Sequence, residues 1–161
     1  MKRNYRKYEG FTLVEVVITM AIIAILSVGV YESYISIIKT TKASEKKQVA
    51  LHAGNKIIEQ IKEISDSGSI NPSDTTIELD DNFNLQGNTE RYSGTEKLDV
   101  YGNYYNRSDY KYIAEVILTK NQLSLNTASK IGYLYDVTVT IKDEEDKELF
   151  SEKYNQTINI N

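Results

Sequence analysis

The sequence has 161 residues, no cysteine, a single histidine and a formal net charge of −4. This length fits one domain with an added segment, and the cysteine and histidine counts exclude disulfides, thiol catalysis, thiolate metal sites and multi-histidine metal sites. The first ten residues carry +3, so the remainder carries −7. A net-acidic body argues against nucleic-acid binding as the main role, because phosphate contacts need clustered lysine and arginine.

An apolar stretch of membrane length begins at Phe11. Residues 1–10 form a basic leader that is too short to fold, and residues 11–30 are almost entirely apolar apart from Glu15. About twenty helical residues span roughly 30 Å, the thickness of the hydrocarbon core. The basic leader predicts that the N-terminus stays cytoplasmic and that the rest is exported. The alternative is a secretory signal peptide cut beyond Ala24, which the length of the stretch and the lack of an evident cleavage site disfavour.

The helical pattern resumes after the apolar stretch. Beyond a polar interval, apolar residues recur every three or four positions, which predicts an amphipathic helix. These residues are Val49, Ala50, Ala53, Ile57, Ile61 and Ile64. We therefore predict a transmembrane and assembly half at 11–38 and an amphipathic half at 39–66.

Both halves are predicted to belong to one helix, running from about Thr12 to Ser65. Gly68 follows as a helix stop signal. Gly29 and Gly54 are the expected weak points, because glycine in a helix interior is unfavourable by roughly 1 kcal/mol relative to alanine.

The remaining residues, 67–161, form the predicted extracellular domain. Strands are predicted at 76–80, 110–120, 133–142 and 149–160, and the last two form an antiparallel hairpin. Residues 83–102 are predicted to be loops with at most one further strand. The apolar face of the sheet needs a cover, which only the amphipathic helix provides. The predicted fold class is therefore α+β, with a long N-terminal helix packed on a small antiparallel sheet.

Residues 10–16 read Gly-Phe-Thr-Leu-Val-Glu-Val, between a basic flank and an apolar helix. This pattern resembles the class III signal of type IV pilins and pseudopilins, whose glycine, phenylalanine and glutamate stand at fixed offsets. The resemblance implies a pilin-like fold, cleavage by a prepilin peptidase between Gly10 and Phe11, and N-methylation of Phe11. Glu15 then becomes the fifth residue of the mature chain, where the family has its glutamate.

Two departures from the family pattern bear on the type of subunit. Type IVa major pilins often have a proline where this chain has Glu32, and they often close a C-terminal loop with a disulfide, which this cysteine-free chain cannot form. Both departures favour a minor subunit over a type IVa major subunit.

The carboxylate of Glu15 needs a partner, because a lone charge in hydrocarbon costs roughly 2.5–3.5 kcal/mol on insertion scales. In the family, cleavage leaves a cationic amine on the new first residue, here Phe11. We expect Glu15 of one subunit to neutralise the Phe11 amine of a neighbour in a staggered helical bundle. Pairing of Glu15 with the Phe11 amine of its own chain is the alternative for the unassembled form.

Two further features are candidate sites. Tyr101, Tyr104, Tyr105 and Tyr110 lie among Gly, Asn and Ser, a composition typical of adaptable contact surfaces. They are either a surface contact for a receptor, DNA or another pilin, or tyrosines packed on the sheet edge, and the packed interpretation is favoured. The acidic residues 143–146 are expected to be a solvated hairpin turn rather than a divalent-cation site. The sequence predicts no catalytic residues, no metal site and no cofactor, so the chain is not expected to be an enzyme.

The sequence thus predicts a structural subunit, favoured as minor, of a type IV pilus. Its expected partners are other pilin subunits, the prepilin peptidase, the pilus assembly machinery and the membrane. It is expected in the cytoplasmic membrane before assembly and in a surface fibre afterwards. Two alternatives stay open, a pseudopilin of a competence or type II secretion system and a membrane-tethered surface binding module that never polymerises.

Overall fold

The computed structural model describes residues 11–67, 75–80, 83–127 and 130–160. Within these ranges one helix, α1 (Leu13–Ser67), precedes six strands. The strands are β1 (Thr76–Asp80), β2 (Phe83–Asn88), β3 (Arg91–Leu98), β4 (Tyr112–Thr127), β5 (Lys130–Asp143) and β6 (Glu148–Ile160). The predicted α+β fold, with a long N-terminal helix packed on an antiparallel sheet, is confirmed. Gly68, the predicted stop signal, lies outside the described residues.

The chain divides into two compact units, Met1–Ala43 and Ser44–Asn161, and the boundary falls within α1. In the first unit, the described residues are helical from Leu13 onward and nearly all of them are exposed. The second unit contains the sheet and the part of α1 that packs on it.

The sheet is an antiparallel meander in which every strand pairs with the next one along the chain, in the order β1-β2-β3-β4-β5-β6. β4 and β5 are the longest pair, with Tyr112 opposite Asp143 at one end and Thr127 opposite Lys130 at the other. Strands were expected where β1, β4, β5 and β6 occur, and β4 continues seven residues beyond the predicted end at Lys120.

Residues 83–102 contain two strands, β2 and β3, so the prediction of loops with at most one further strand is wrong. β2 and β3 pair with Gln86 opposite Ser93. Buried Tyr92 shares its face of β3 with Gly94 and Glu96, which are not apolar. The alternation that marks a half-buried strand is therefore broken in the sequence.

The core lies between the C-terminal half of α1 and one face of the sheet. Ala50, Ala53, Ile57 and Ile61 are buried, as the apolar spacing predicts, and Ile58 widens the buried stripe. The facing residues of β5 alternate as predicted, because Tyr135, Val137, Val139 and Ile141 are at most 3% exposed. Their neighbours along the strand, such as Thr138 and Thr140, point to the other face and are half-buried.

Polar contacts hold the helix to the sheet at both ends of this packed region. Near its start, the Lys46 ammonium lies 3.6 Å from the Asp143 carboxylate. Near its end, the Ser65 hydroxyl donates to the backbone oxygen of Thr157 and accepts from the Gln156 amide at 2.9 Å. Because hydrogen bonds are directional, these contacts fix the position of α1 along the sheet where apolar packing alone permits sliding.

Gly54 of α1 faces the Phe150 ring of β6, and a Cβ built on Gly54 would lie 2.3 Å from that ring. We predict that Gly54→Ala destabilises the fold by a net of about 1–2 kcal/mol, because overpacking outweighs the gain in helix propensity. Gly29→Ala is the matched control, since a Cβ there has nothing within 4 Å. Thermal unfolding of the full chain in detergent should show a lower midpoint for Gly54→Ala only, and equal midpoints for both variants would contradict the packing.

Candidate functional site

Thr12 caps the start of α1 and places Glu15 in its first turn. The backbone N–H of Glu15 donates to the backbone oxygen of Thr12 at 3.0 Å and to the Thr12 hydroxyl at 3.3 Å. This is the bonding of an N-cap threonine, and the helix dipole favours a carboxylate in the first turn. Glu15 is exposed and Phe11 is 83% exposed. Gly10, the predicted cleavage residue, lies outside the described residues.

The surface of α1 that follows Glu15 is apolar and open. From Val16 to Val30 every residue is exposed. The hydroxyls of Thr19, Ser27 and Ser33 each donate to the backbone oxygen four residues earlier, at 2.6, 2.7 and 2.8 Å. Their polar groups are thus satisfied inside the helix, as hydrocarbon surroundings require. Among the described residues, α1 is the one helix long and apolar enough to cross a membrane.

A comparison with families of known sequences identifies this start of the chain. Residues 5–31 match the prokaryotic N-terminal methylation motif. That motif is the class III signal of type IV pilins and pseudopilins, so the predicted resemblance is confirmed. The match supports a type IV pilin-like or pseudopilin protein. No significant match was found among curated proteins or among solved structures.

The methylation motif covers Phe11 and Glu15 and leaves out the four candidate tyrosines. Tyr101 lies in a tight loop at 99–103, which Asp99 organises, and the other three tyrosines follow this loop. The Asp99 carboxylate accepts from the backbone N–H of Tyr101 and of Asn103, at 2.8 and 2.9 Å. Gly102 has φ +82°, and a Cβ on it would lie 3.1 Å from Ala53 of α1. Glycine therefore allows both the turn and the close approach of this loop to the helix.

The four candidate tyrosines differ in environment. Tyr101 is 73% exposed at the tip of the loop. Tyr104 packs on the core, because its hydroxyl donates to Gln60 at 2.8 Å and its ring meets Phe83 edge-on at 5.6 Å. Tyr105 and Tyr110 are half-buried, with Arg107 and Lys97 over their respective rings. Tyr101 is thus the member with the most surface open to a partner, and Tyr104 serves packing.

The acidic turn at 143–146 has the same hydrogen-bond pattern as the loop at 99–103. The Asp143 carboxylate accepts from the backbone N–H of Glu145 and of Lys147, both at 3.0 Å. Asp146, which corresponds to Gly102, also has a positive φ of 61°. Sequence reasoning did not single out Asp99, although an aspartate three residues before a glycine is a known turn signal.

The acidic side chains of this turn face lysines. Asp143 meets Lys46, and Glu144 meets Lys111 at 3.1 Å. Asp146 meets Lys142 at 3.3 Å. The structure, over the residues it describes, contains no group of three or more His, Cys, Asp or Glu residues that could hold a metal ion. These ion pairs agree with the expected hairpin turn.

The pKa of Asp143 is lowered from its ordinary value of 3.8. Burial acts to raise the pKa, but the two backbone N–H donors and the nearby Lys46 ammonium outweigh it. A carboxyl group with a depressed folded-state pKa stabilises the fold above its unfolded value, and this contribution is lost as pH falls through the folded-state pKa.

We predict that Asp143→Ala lowers the free energy of unfolding at pH 7 by about 2 kcal/mol, because it leaves two turn N–H groups without their acceptor. The difference from the unchanged chain should shrink below pH 4, where the unfolded carboxyl protonates first. Glu145→Gln removes one exposed charge from the same turn and is the control. Denaturant unfolding at pH 7 and pH 3 tests this, and a difference that is the same at both pH values would contradict the charged role of Asp143.

Proposed function

We propose that this chain is a structural subunit of a type IV pilus, inserted in the membrane and assembled through α1. One observation carries the proposal, namely the match to the methylation motif at residues 5–31, whose glutamate lies in the first turn of an exposed apolar helix. The alternatives that lack this motif's processing, such as a tethered binding module, do not explain why the carboxylate is placed there.

The proposal gives Glu15 and the amine of Phe11 complementary roles. Either charge alone in hydrocarbon is unfavourable, and pairing between neighbouring helices relieves both costs. The side chains between Glu15 and Val30 offer no other cation, because residues 16–30 contain no charge. Assembly of α1 helices thus supplies the partner that the chain lacks along its own apolar stretch.

Processing and topology follow from the motif in this proposal. A prepilin peptidase acts on the cytoplasmic side between Gly10 and Phe11, and the assembly machinery then extracts the mature chain from the membrane. The basic leader favours a cytoplasmic N-terminus, although Lys39, Lys42, Lys46 and Lys47 beyond the apolar stretch weaken this charge bias. The cleavage motif supports the same orientation, because the prepilin peptidase acts on the cytoplasmic side.

Glu32 and the lack of cysteine support the finer proposal of a minor pilus subunit. Shearing surface fibres from cells and measuring this chain by quantitative mass spectrometry tests it. We expect the processed chain in the fibres at a small fraction of the principal subunit. Its restriction to the membrane fraction, with no copy in sheared fibres, would contradict a pilus subunit and favour a pseudopilin.

The tyrosine-rich segment enters the proposal as a contact surface centred on Tyr101. Val100 beside it is also exposed, at 53%. The hydrogen bonds to Asp99 hold both residues on a defined loop, so little conformational freedom is lost when a partner binds. Tyr105 and Tyr110 follow this loop and are half-buried, while Tyr104 packs on the core through Gln60 and Phe83.

A further inference from the structure

The stretch of α1 that follows its apolar surface carries two tyrosines and then a group of lysines. Tyr31 and Tyr34 are 65% and 61% exposed. Tyrosine is enriched where a transmembrane helix leaves the hydrocarbon, because its ring is apolar and its hydroxyl can form hydrogen bonds at the membrane–water interface. The stretch without charged residues runs from Val16 to Tyr31 and ends at Glu32. This places the edge of the hydrocarbon close to Val30.

Lys39 and Lys42 come next along the helix and are exposed. They form no ion pair with any residue that the structure describes, whereas Lys46 pairs with Asp143 at 3.6 Å. Two exposed lysines without an acidic partner, just beyond a membrane segment, are available to an anionic partner outside the chain. We propose that Lys39 and Lys42 bind the anionic phospholipid headgroups of the leaflet at the C-terminal end of the membrane segment.

Distances along the helix support this assignment. At 1.5 Å per residue, the Cα atoms of Lys39 and Lys42 lie about 13 and 18 Å beyond Val30, and that of Lys47 lies about 25 Å beyond it. The headgroup layer extends about 5–8 Å past the hydrocarbon, and the Debye length at physiological salt adds about 8 Å. Side chains on a helix lean toward its N-terminus, here toward the membrane, so the ammonium groups lie closer than their Cα atoms. Lys39 is within reach, Lys42 is near the limit and Lys47 is beyond it.

Glu32 adds a contribution of opposite sign. It lies about 3 Å beyond Val30, inside the headgroup layer, where its charge repels anionic lipid. We therefore expect opposite effects from the two kinds of variant. Removing the charge of Lys39 or Lys42 lowers the preference for anionic lipid, and removing the charge of Glu32 raises it. A second pilin copy as the partner of these lysines is the competing outcome.

The test uses the full chain in nanodiscs of equal phosphatidylglycerol and phosphatidylcholine, with the retained lipids counted by native mass spectrometry. A lysine near an anionic surface strengthens binding roughly fivefold, so the double variant Lys39→Gln, Lys42→Gln should lose roughly five- to twenty-fold in phosphatidylglycerol preference. Lys97→Gln, Lys153→Gln, with both lysines exposed in the sheet domain, is the matched control and should lose nothing. Glu32→Gln should gain preference, Lys47→Gln should change it least, and salt near 1 M should abolish it.

An unchanged lipid preference in the Lys39→Gln, Lys42→Gln variant would overturn the proposal, as would an equal loss in the control. Loss of fibre incorporation with intact lipid preference would also overturn it, by assigning these lysines to subunit contacts. The inference rests on the membrane insertion in the proposed function. It does not depend on cleavage or assembly, because the lipid measurement is made on the unassembled chain. The measured lipid preference can therefore be interpreted even if the N-terminus is not processed.

Discussion

Replacing Glu15 with alanine is expected to leave cleavage and N-methylation intact and to remove the chain from isolated fibres. Without the carboxylate, the Phe11 amine of the neighbouring subunit enters the helical bundle unpaired. The cost is about 2.5–3.5 kcal/mol, which corresponds to a loss of incorporation of roughly a hundredfold or more. Quantitative mass spectrometry of sheared fibres and of membranes from the same cells measures this loss.

Three further variants locate the cause of that loss. Glu15→Gln keeps the size of the side chain and should behave like Glu15→Ala, whereas Glu15→Asp keeps the charge and should retain part of the incorporation. Glu32→Ala removes the other acidic residue between Phe11 and Ala43, beyond the charge-free stretch, and should affect incorporation far less. Normal incorporation of Glu15→Ala would contradict the proposed pairing. A depleted membrane pool with unchanged incorporation per membrane copy would favour pairing within one chain.

Replacing Phe83 with alanine is expected to be the most destabilising single change in the sheet unit. Phe83 is fully buried, and its ring meets that of Tyr104 edge-on at 5.6 Å. Truncating a buried phenylalanine costs about 3–5 kcal/mol, against a total stability of about 5–15 kcal/mol for a typical domain. For a unit of this size the thermal midpoint should fall by about 10–20 °C.

Tyr101→Ala is the control for Phe83→Ala, because Tyr101 is also aromatic but is 73% exposed. Its effect on the free energy of unfolding should stay within about 0.5 kcal/mol. Far-ultraviolet circular dichroism of the full chain in detergent follows the loss of the sheet. If the thermal midpoint of Phe83→Ala lies within about 2–3 °C of that of the unchanged chain, the burial of β2 in the core is contradicted.

The strongly periodic parts of the fold could be predicted from the sequence. The amphipathic half of α1 repeats its apolar residues at helical spacing, and β5 alternates strictly between Tyr135 and Ile141. Each pattern has one solution that buries its apolar residues. That solution is the packing observed, with Ala50 fully buried and Val139 fully buried.

The strands β2 and β3 could not be predicted because a glycine and polar residues interrupt their pattern. Gly94 of β3 lies beside the Phe83 ring, and a Cβ on it would be 2.9 Å from that ring and 2.7 Å from the backbone oxygen of Asn84. Glycine in a strand can mark such a close approach, but in the sequence alone it indicates a loop. Only the paired neighbours show which interpretation applies.

The site at the helix start could be predicted from the sequence, because its chemistry depends on fixed offsets along one short segment. The surroundings of the tyrosine-rich segment could not be predicted, because they depend on residues that are distant in the sequence. The partner of Tyr104, Gln60, is 44 residues away in the sequence. Lys46 is even farther in the sequence from its partner in the acidic turn, Asp143, and the two meet only because the helix packs on the sheet.

If this chain is processed and assembled as a type IV pilin-like subunit, the mass of its mature N-terminus must show the cleavage. We expect mass spectrometry to find a chain that begins at Phe11 and carries one methyl group on the Phe11 amine. This result is expected both in the membrane fraction and in sheared fibres. A chain that still begins at Met1, or one cut beyond Ala24, would contradict it.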